Sequence, residues 1–158
     1  APTGDRAEGR LMRLTHQTDL SLRVLMQLAL IAPQRTTIQE ISESYRVSRN
    51  HLMKVAHQLA LKGYVDSARG SGGGLTLGRP AEEIVVGEVV RDMEPDFGLT
   101  ECFRPGNQCV ITPICALPAM LDEALQAFLK TLDQYTLADL VTPKNSPQMA
   151  DILKLSLN

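Results

Sequence analysis

Three cysteines, Cys102, Cys109 and Cys115, are the only ones in the 158 residues and follow a C-x6-C-x5-C spacing. Pro105, Gly106 and Pro113 interleave them, and no helical or strand period runs through 98–115, so the thiols belong to a loop. A cysteine is most often a small buried hydrophobe, but a loop broken by proline and glycine is poor material for a core. A soft metal or an iron–sulfur cluster explains the grouping better. Zinc stays open, although structural zinc sites generally show a C-x2–4-C knuckle that is absent here. Three thiolates leave a fourth ligand to come from elsewhere. A catalytic thiol finds no His or Lys nearby in sequence, and no paired carboxylates or nucleophile–base set marks an enzyme.

A second group of residues suits DNA. Ser48, Arg49, Asn50, His51 and Lys54 form the polar leading face of a helix expected over about 49–62, with His57 one turn further. Asn50 and Arg49 can pair with base edges in a major groove, whereas Lys54 and His57 suit phosphates. After that helix come Tyr64-Val65 and Leu75–Leu77, two short strand patterns around Arg69-Gly-Ser-Gly-Gly-Gly74. Glycines such as Gly72 and Gly73 allow close approach to a phosphate or groove, and Arg69 can enter a minor groove. The same run is no P-loop: it lacks the lysine, and a strand rather than a helix follows.

These groups need elements to hold them. Leu20, Val24, Leu25, Leu28 and Ala29 recur at helical spacing and stop at Pro33. Thr37 and Glu40 form a capping box for a short second helix, and Ser48 is placed to cap the third, whose apolar stripe is Leu52, Val55, Ala56 and Leu59. Two helices joined by a tight turn and followed by a hairpin make a winged helix-turn-helix, here 12–81. The connector 82–115 is expected to hold a short strand and a helical turn near 84–90 before the cysteine loop. From Ala116, Leu117, Leu121, Ala124, Leu125, Phe128, Leu132 and Tyr135 predict one long amphipathic helix over 116–141, with Pro118 in its first turn. Residues 142–158 read as a flexible tail, and 1–11 as a disordered leader or tag remnant. The fold class expected is mainly α with a small β-wing.

Composition sets the outer bounds. Aromatics are 4% of the chain with no Trp, which argues against a single-strand stacking surface. The formal charge of −2 conceals +5 over 1–79 and −7 over 80–158, a division that fits a polyanion-binding first half. No apolar stretch approaches the length of a membrane span, and a cytoplasmic protein without membrane contact is expected.

Taken together, MRLT from Met12 with Thr18-Asp19, the SRNHLMK segment over 48–54, the RGSGGG run and the three-cysteine loop resemble the Rrf-type bacterial winged-helix regulators, the NsrR/IscR/RirA repressors. The resemblance covers roughly 12–140. It implies a homodimer paired through the 116–141 helix and a cluster held by Cys102, Cys109 and Cys115, a 4Fe–4S group with 2Fe–2S as the alternative. The loop is most similar to the nitric-oxide-sensing branch, which implies that Asp19 of the partner subunit completes the cluster. The IscR-like branch has a His three residues after the last cysteine, where this chain has Pro118.

The function expected is therefore a homodimeric repressor on double-stranded operator DNA, with half-sites about one helical turn (~34 Å) apart. It would sense nitric oxide through nitrosylation of the cluster. An iron-availability repressor of RirA-like type shares the architecture, and the x6 spacing lies between the two branches. A zinc-stabilised protein-interaction module is the rival from another class.

Overall fold

The computed structural model describes residues 12–70 and 72–157; the expected leader, 1–11, lies outside the described residues. The first apolar stripe becomes α1 (His16–Ile31), with Leu20, Val24, Leu25 and Leu28 at most 1% exposed. The Thr37–Glu40 capping box forms and starts α2 (Ile38–Tyr45). Helix α3 (Arg49–Leu61) buries Leu52, Val55, Ala56 and Leu59 against α1 and α2. Ser48 stands at its N-cap position, yet its hydroxyl makes no capping bond, contrary to expectation. The exposed helix start leaves its N–H groups to solvent, while buried Leu52 anchors the first turn.

The wing is an antiparallel pair, β1 (Val65–Ala68) and β2 (Gly74–Leu77), in register from Val65 opposite Leu77 to Ala68 opposite Gly74. Thr36 adds a bridge to Leu75, with N–H···O distances of 2.7 and 3.2 Å, and fixes the hairpin to the segment between α1 and α2. Gly73 is required at the tip: a Cβ there would lie 2.5 Å from the Ala68 carbonyl oxygen. The three helices and the wing close over one core that also takes in Ile41, Tyr64, Ile84, Val89 and Leu137.

Three expectations beyond the wing need correction. The valine-rich stretch is not a strand and a helical turn but a full helix, α4 (Val86–Met93); Val85 contributes only a single bridge, to Thr136. Val86, Val89, Val90 and Met93 fall on one helical face and are buried, so packing overrides the strand preference of β-branched residues. The long helix stops early, as α5 (Leu117–Leu132), and a separate turn, α6 (Leu137–Leu140), follows. Backbone bonds to a distant segment make the break: the Val86 N–H donates to Tyr135 O at 2.9 Å, and the Leu137 N–H to Ile84 O at 2.8 Å. Finally, the tail is not featureless, because Ser146–Leu153 forms α7 and buries Ala150 and Leu153. No helix among the described residues is long and apolar enough to cross a membrane.

Candidate functional site

Helix α3 turns a polar side outward. At about 3.6 residues per turn, the side opposite its buried stripe carries Asn50, Lys54, His57 and Leu61, flanked by Met53, Gln58 and His51, and all are exposed. Arg49 and Ser48 lie at its leading end, also exposed. Lys54 and Arg49 have no ion-pair partner among the described residues, leaving their charge available to a ligand. His51 is partly committed: its ring meets the His16 ring edge-on, with centroids 5.5 Å apart. That contact joins the start of α3 to the start of α1.

Two arginines escaped sequence reasoning. Arg46 ends α2 in the left-handed conformation, φ 54°, a place where glycine is usual, and its side chain is exposed beside the leading end of α3. Arg35 donates to the Gly72 carbonyl at 3.3 Å and braces the wing tip. A non-glycine C-cap offers no pattern that reveals it in sequence, and Arg35 sits in a stretch without period. Arg69 is exposed at the end of β1, next to Gly72 and Gly73. Recognition helix, turn and wing thus carry Arg46, Arg49, Lys54 and Arg69.

The cysteine loop is held by its own polar side chains. The Asn107 amide accepts the Cys109 N–H at 3.0 Å and donates to the Thr112 hydroxyl at 2.9 Å, while the Glu101 carboxylate accepts the Gln108 N–H at 2.8 Å. Cys102, Cys109 and Cys115 border one open cavity of about 140 Å³, which Thr100, Ile111, Leu117 and Pro118 also line. All three are free thiols. The Cys115 Sγ accepts the Leu117 N–H at 3.4 Å, and the Thr100 hydroxyl lies 3.0 Å from Cys102 Sγ. Three thiols around one cavity, with polar groups beside two of the sulfurs, are a donor set that fits an iron–sulfur group. Among the described residues no three His, Cys, Asp or Glu side chains gather around a single-ion position.

Asp19 is not among the residues lining that cavity. It lies in the first turn of α1, where Arg23 holds its carboxylate from both sides, Nε at 3.1 Å and Nη2 at 2.7 Å. Both side chains are part-exposed, so the carboxylate stays accessible to solvent.

Comparison with known proteins places this architecture. The family described as Rrf2, iron-dependent transcriptional regulator, matches residues 14–143. The chain belongs to the Rrf2 family. The HTH-type transcriptional regulator NsrR of Bacillus subtilis (strain 168) is 50% identical over 146 residues, covering 91% of this chain and 99% of that protein. Its namesake from Geobacillus kaustophilus (strain HTA426) is 45% identical over 137 residues, 85% and 93% of the two chains. Among solved structures, T. potens IscR superposes with a TM-score of 0.69 at 21% identity over 88% of this chain and 93% of its own. Staphylococcus aureus CymR gives 0.62 at 25% identity, over 80% and 95%. This Rrf2 protein is therefore a transcriptional regulator rather than an enzyme, and the winged-helix fold expected from its motifs is the fold it has.

Proposed function

We propose that this Rrf2 regulator is a homodimeric repressor whose operator binding depends on an iron–sulfur cluster and is relieved by nitric oxide. The observation that carries this reading is the convergence of Cys102, Cys109 and Cys115 on one cavity in a chain that also presents an exposed recognition helix and wing. The similarity to proteins named NsrR supports nitric oxide as the signal. When bound, a 4Fe–4S cluster would supply a centre reactive toward nitric oxide.

The protein's own residues do the rest. The three thiols would hold the group, and the loop bonds of Asn107 and Glu101 order the segment that carries them. Asp19 of the partner subunit would add a carboxylate, a weaker iron ligand than thiolate and therefore the one a small molecule would displace most easily. Helix α5 supplies the dimer contact: only Leu129 is buried in one copy, while Leu117, Met120 and Phe128 are 49%, 63% and 44% exposed. An apolar stripe of that kind asks for a second copy. Asn50 and Arg49 read bases, Lys54 and His57 meet phosphates, and Arg69 with Gly72 and Gly73 enters the neighbouring groove. A tenfold release of DNA requires only about 1.4 kcal/mol of coupling between cluster and operator.

The test is iron and acid-labile sulfide per chain on protein isolated without oxygen, followed by operator binding under nitric oxide and, separately, an iron chelator. Near four of each, with release by nitric oxide, is the expected result. Two of each points to a 2Fe–2S group, and release by chelator alone to an iron-availability repressor. Zinc without sulfide removes the sensor and leaves a zinc-stabilised module.

A further inference from the structure

The first turn of a helix must find partners for its free N–H groups. In α2 they are local: Thr37 and Glu40, three residues apart, exchange bonds in the capping box. Helix α1 begins alike, with the Thr15 hydroxyl accepting the Thr18 N–H at 3.3 Å. Yet the position that carries the returning carboxylate in α2 is occupied here by Thr18. The carboxylate arrives instead from Glu94, 79 residues along the chain. It accepts the Thr15 N–H at 3.1 and 3.3 Å, the Thr15 hydroxyl at 3.2 Å and the Thr18 hydroxyl at 2.6 Å.

Glu94 caps the end of α4, and the chain runs from it directly into the segment that carries the cysteines. The turn before it is tied on other sides. Asp92 accepts the Tyr64 hydroxyl at 2.6 Å at the base of the wing, and Arg91 pairs with Asp133 just beyond α5. Next to Thr15, His16 rests against His51 of α3. A glutamate at position 18 would return the carboxylate locally, into the space Glu94 fills beside the fully buried Thr18, and would make none of these connections. What the distant carboxylate adds is a mechanical tie.

We propose that Glu94 is a positioning residue that couples the cysteine loop to the recognition helix through the first turn of α1. Displacement of the loop root moves Glu94, Glu94 moves the Thr15–Thr18 turn, and the His16–His51 contact passes the shift to the leading end of α3. The role of the loop as cluster holder rests on the preceding reading; the tie itself does not.

Two variants separate coupling from capping. Glu94→Ala breaks the tie and removes the carboxylate half of the α1 cap, leaving the Thr15 hydroxyl on the Thr18 N–H. Glu94→Ala with Thr18→Glu puts a local carboxylate into the space Glu94 vacates beside the buried position 18 and leaves the tie broken; its melting temperature reads whether the local box has formed. In wild type, operator affinity is expected to fall about tenfold on cluster removal. In the double variant the same removal changes affinity less than about twofold. A double variant that still responds tenfold overturns the proposal. The second readout uses the cluster-free chain: Glu94→Ala shifts the His51 and His16 ring-proton resonances, and the double variant does not return them to wild-type positions. Unchanged resonances overturn the tie whatever the cluster does. If wild-type affinity is indifferent to the cluster, the proposed function fails, and the histidine resonances still decide the role of Glu94.

Discussion

Lys54 offers the most direct test of the nucleic-acid interface. It stands on the outward side of α3, exposed and without an ion-pair partner among the described residues, so replacing it removes charge and little else. Lys54→Ala leaves helix propensity intact, and folding stability should move by no more than about 0.5 kcal/mol. Each phosphate neutralised contributes about 0.9 to the slope of log K against log salt. A dimer brings two copies of Lys54 to the operator, so the slope should flatten by about 1.8. Between 50 and 200 mM salt, the wild type should then lose about twelvefold more affinity than the variant. Fluorescence anisotropy on operator and random duplexes across that salt range measures the difference. Both duplexes should weaken alike, since a phosphate contact carries no sequence information. An unchanged slope would mean that the outward side of α3 does not meet the DNA backbone, and the docking inferred from its exposure would be wrong.

The other predictions concern the remaining parts of the site. Cys109→Ala should abolish iron and sulfide binding while the winged helix stays folded; a variant that keeps the full complement of both removes the cysteine loop as the cluster site. Asp19→Ala should alter cluster spectra or lability with a stability cost below about 0.5 kcal/mol, because its pair with Arg23 is a part-exposed i,i+4 contact; an unaltered cluster strikes it from the ligands. Arg46→Gly relieves a left-handed arginine, so stability should hold or rise by up to about 1 kcal/mol while DNA affinity falls; equal affinity would make Arg46 a bystander. The Glu40 carboxyl is held below its ordinary 4.5 chiefly by the Thr37 N–H, with the Thr36 and Thr37 hydroxyls adding to it against a desolvation that raises it. A lowered folded pKa gives stability that is complete above the unfolded value and lost as pH falls through the folded one. The gap in melting temperature between wild type and Glu40→Ala should therefore be full at neutral pH and narrow below about pH 4.5; a gap that is constant with pH would show that the charge of the cap does not matter.

Much of the DNA-binding unit was legible because its signals are local. The Thr37–Glu40 box, the stripe Leu52, Val55, Ala56 and Leu59, and the glycine-rich tip all act within a few residues, and each forms where its pattern lies. The cysteines were legible as a group because proline and glycine between them left no element in which to bury them. The end of α5 was not. Leu132, Tyr135 and Leu140 keep a helical spacing through the break, and nothing nearby signals that residues 84–86 will take the backbone bonds of Tyr135 and Leu137. The valines of α4 misled for the opposite reason: their type favours a strand, and only the core beneath them selects the helix.

Periodicity, caps and spacing are properties of neighbours along the chain, and they suffice to specify a winged helix-turn-helix followed by a three-thiol loop and an amphipathic helix. How these parts are joined comes from the packed fold. It broke the long helix at Asp133, left the α5 stripe bare, brought the three thiols to one cavity and capped α1 with Glu94 instead of a local residue. A hydrogen bond between residues 79 apart leaves no periodic trace in a single sequence. It depends on where the core places two helix ends, and that placement is a sum of many contacts rather than a property of any one segment.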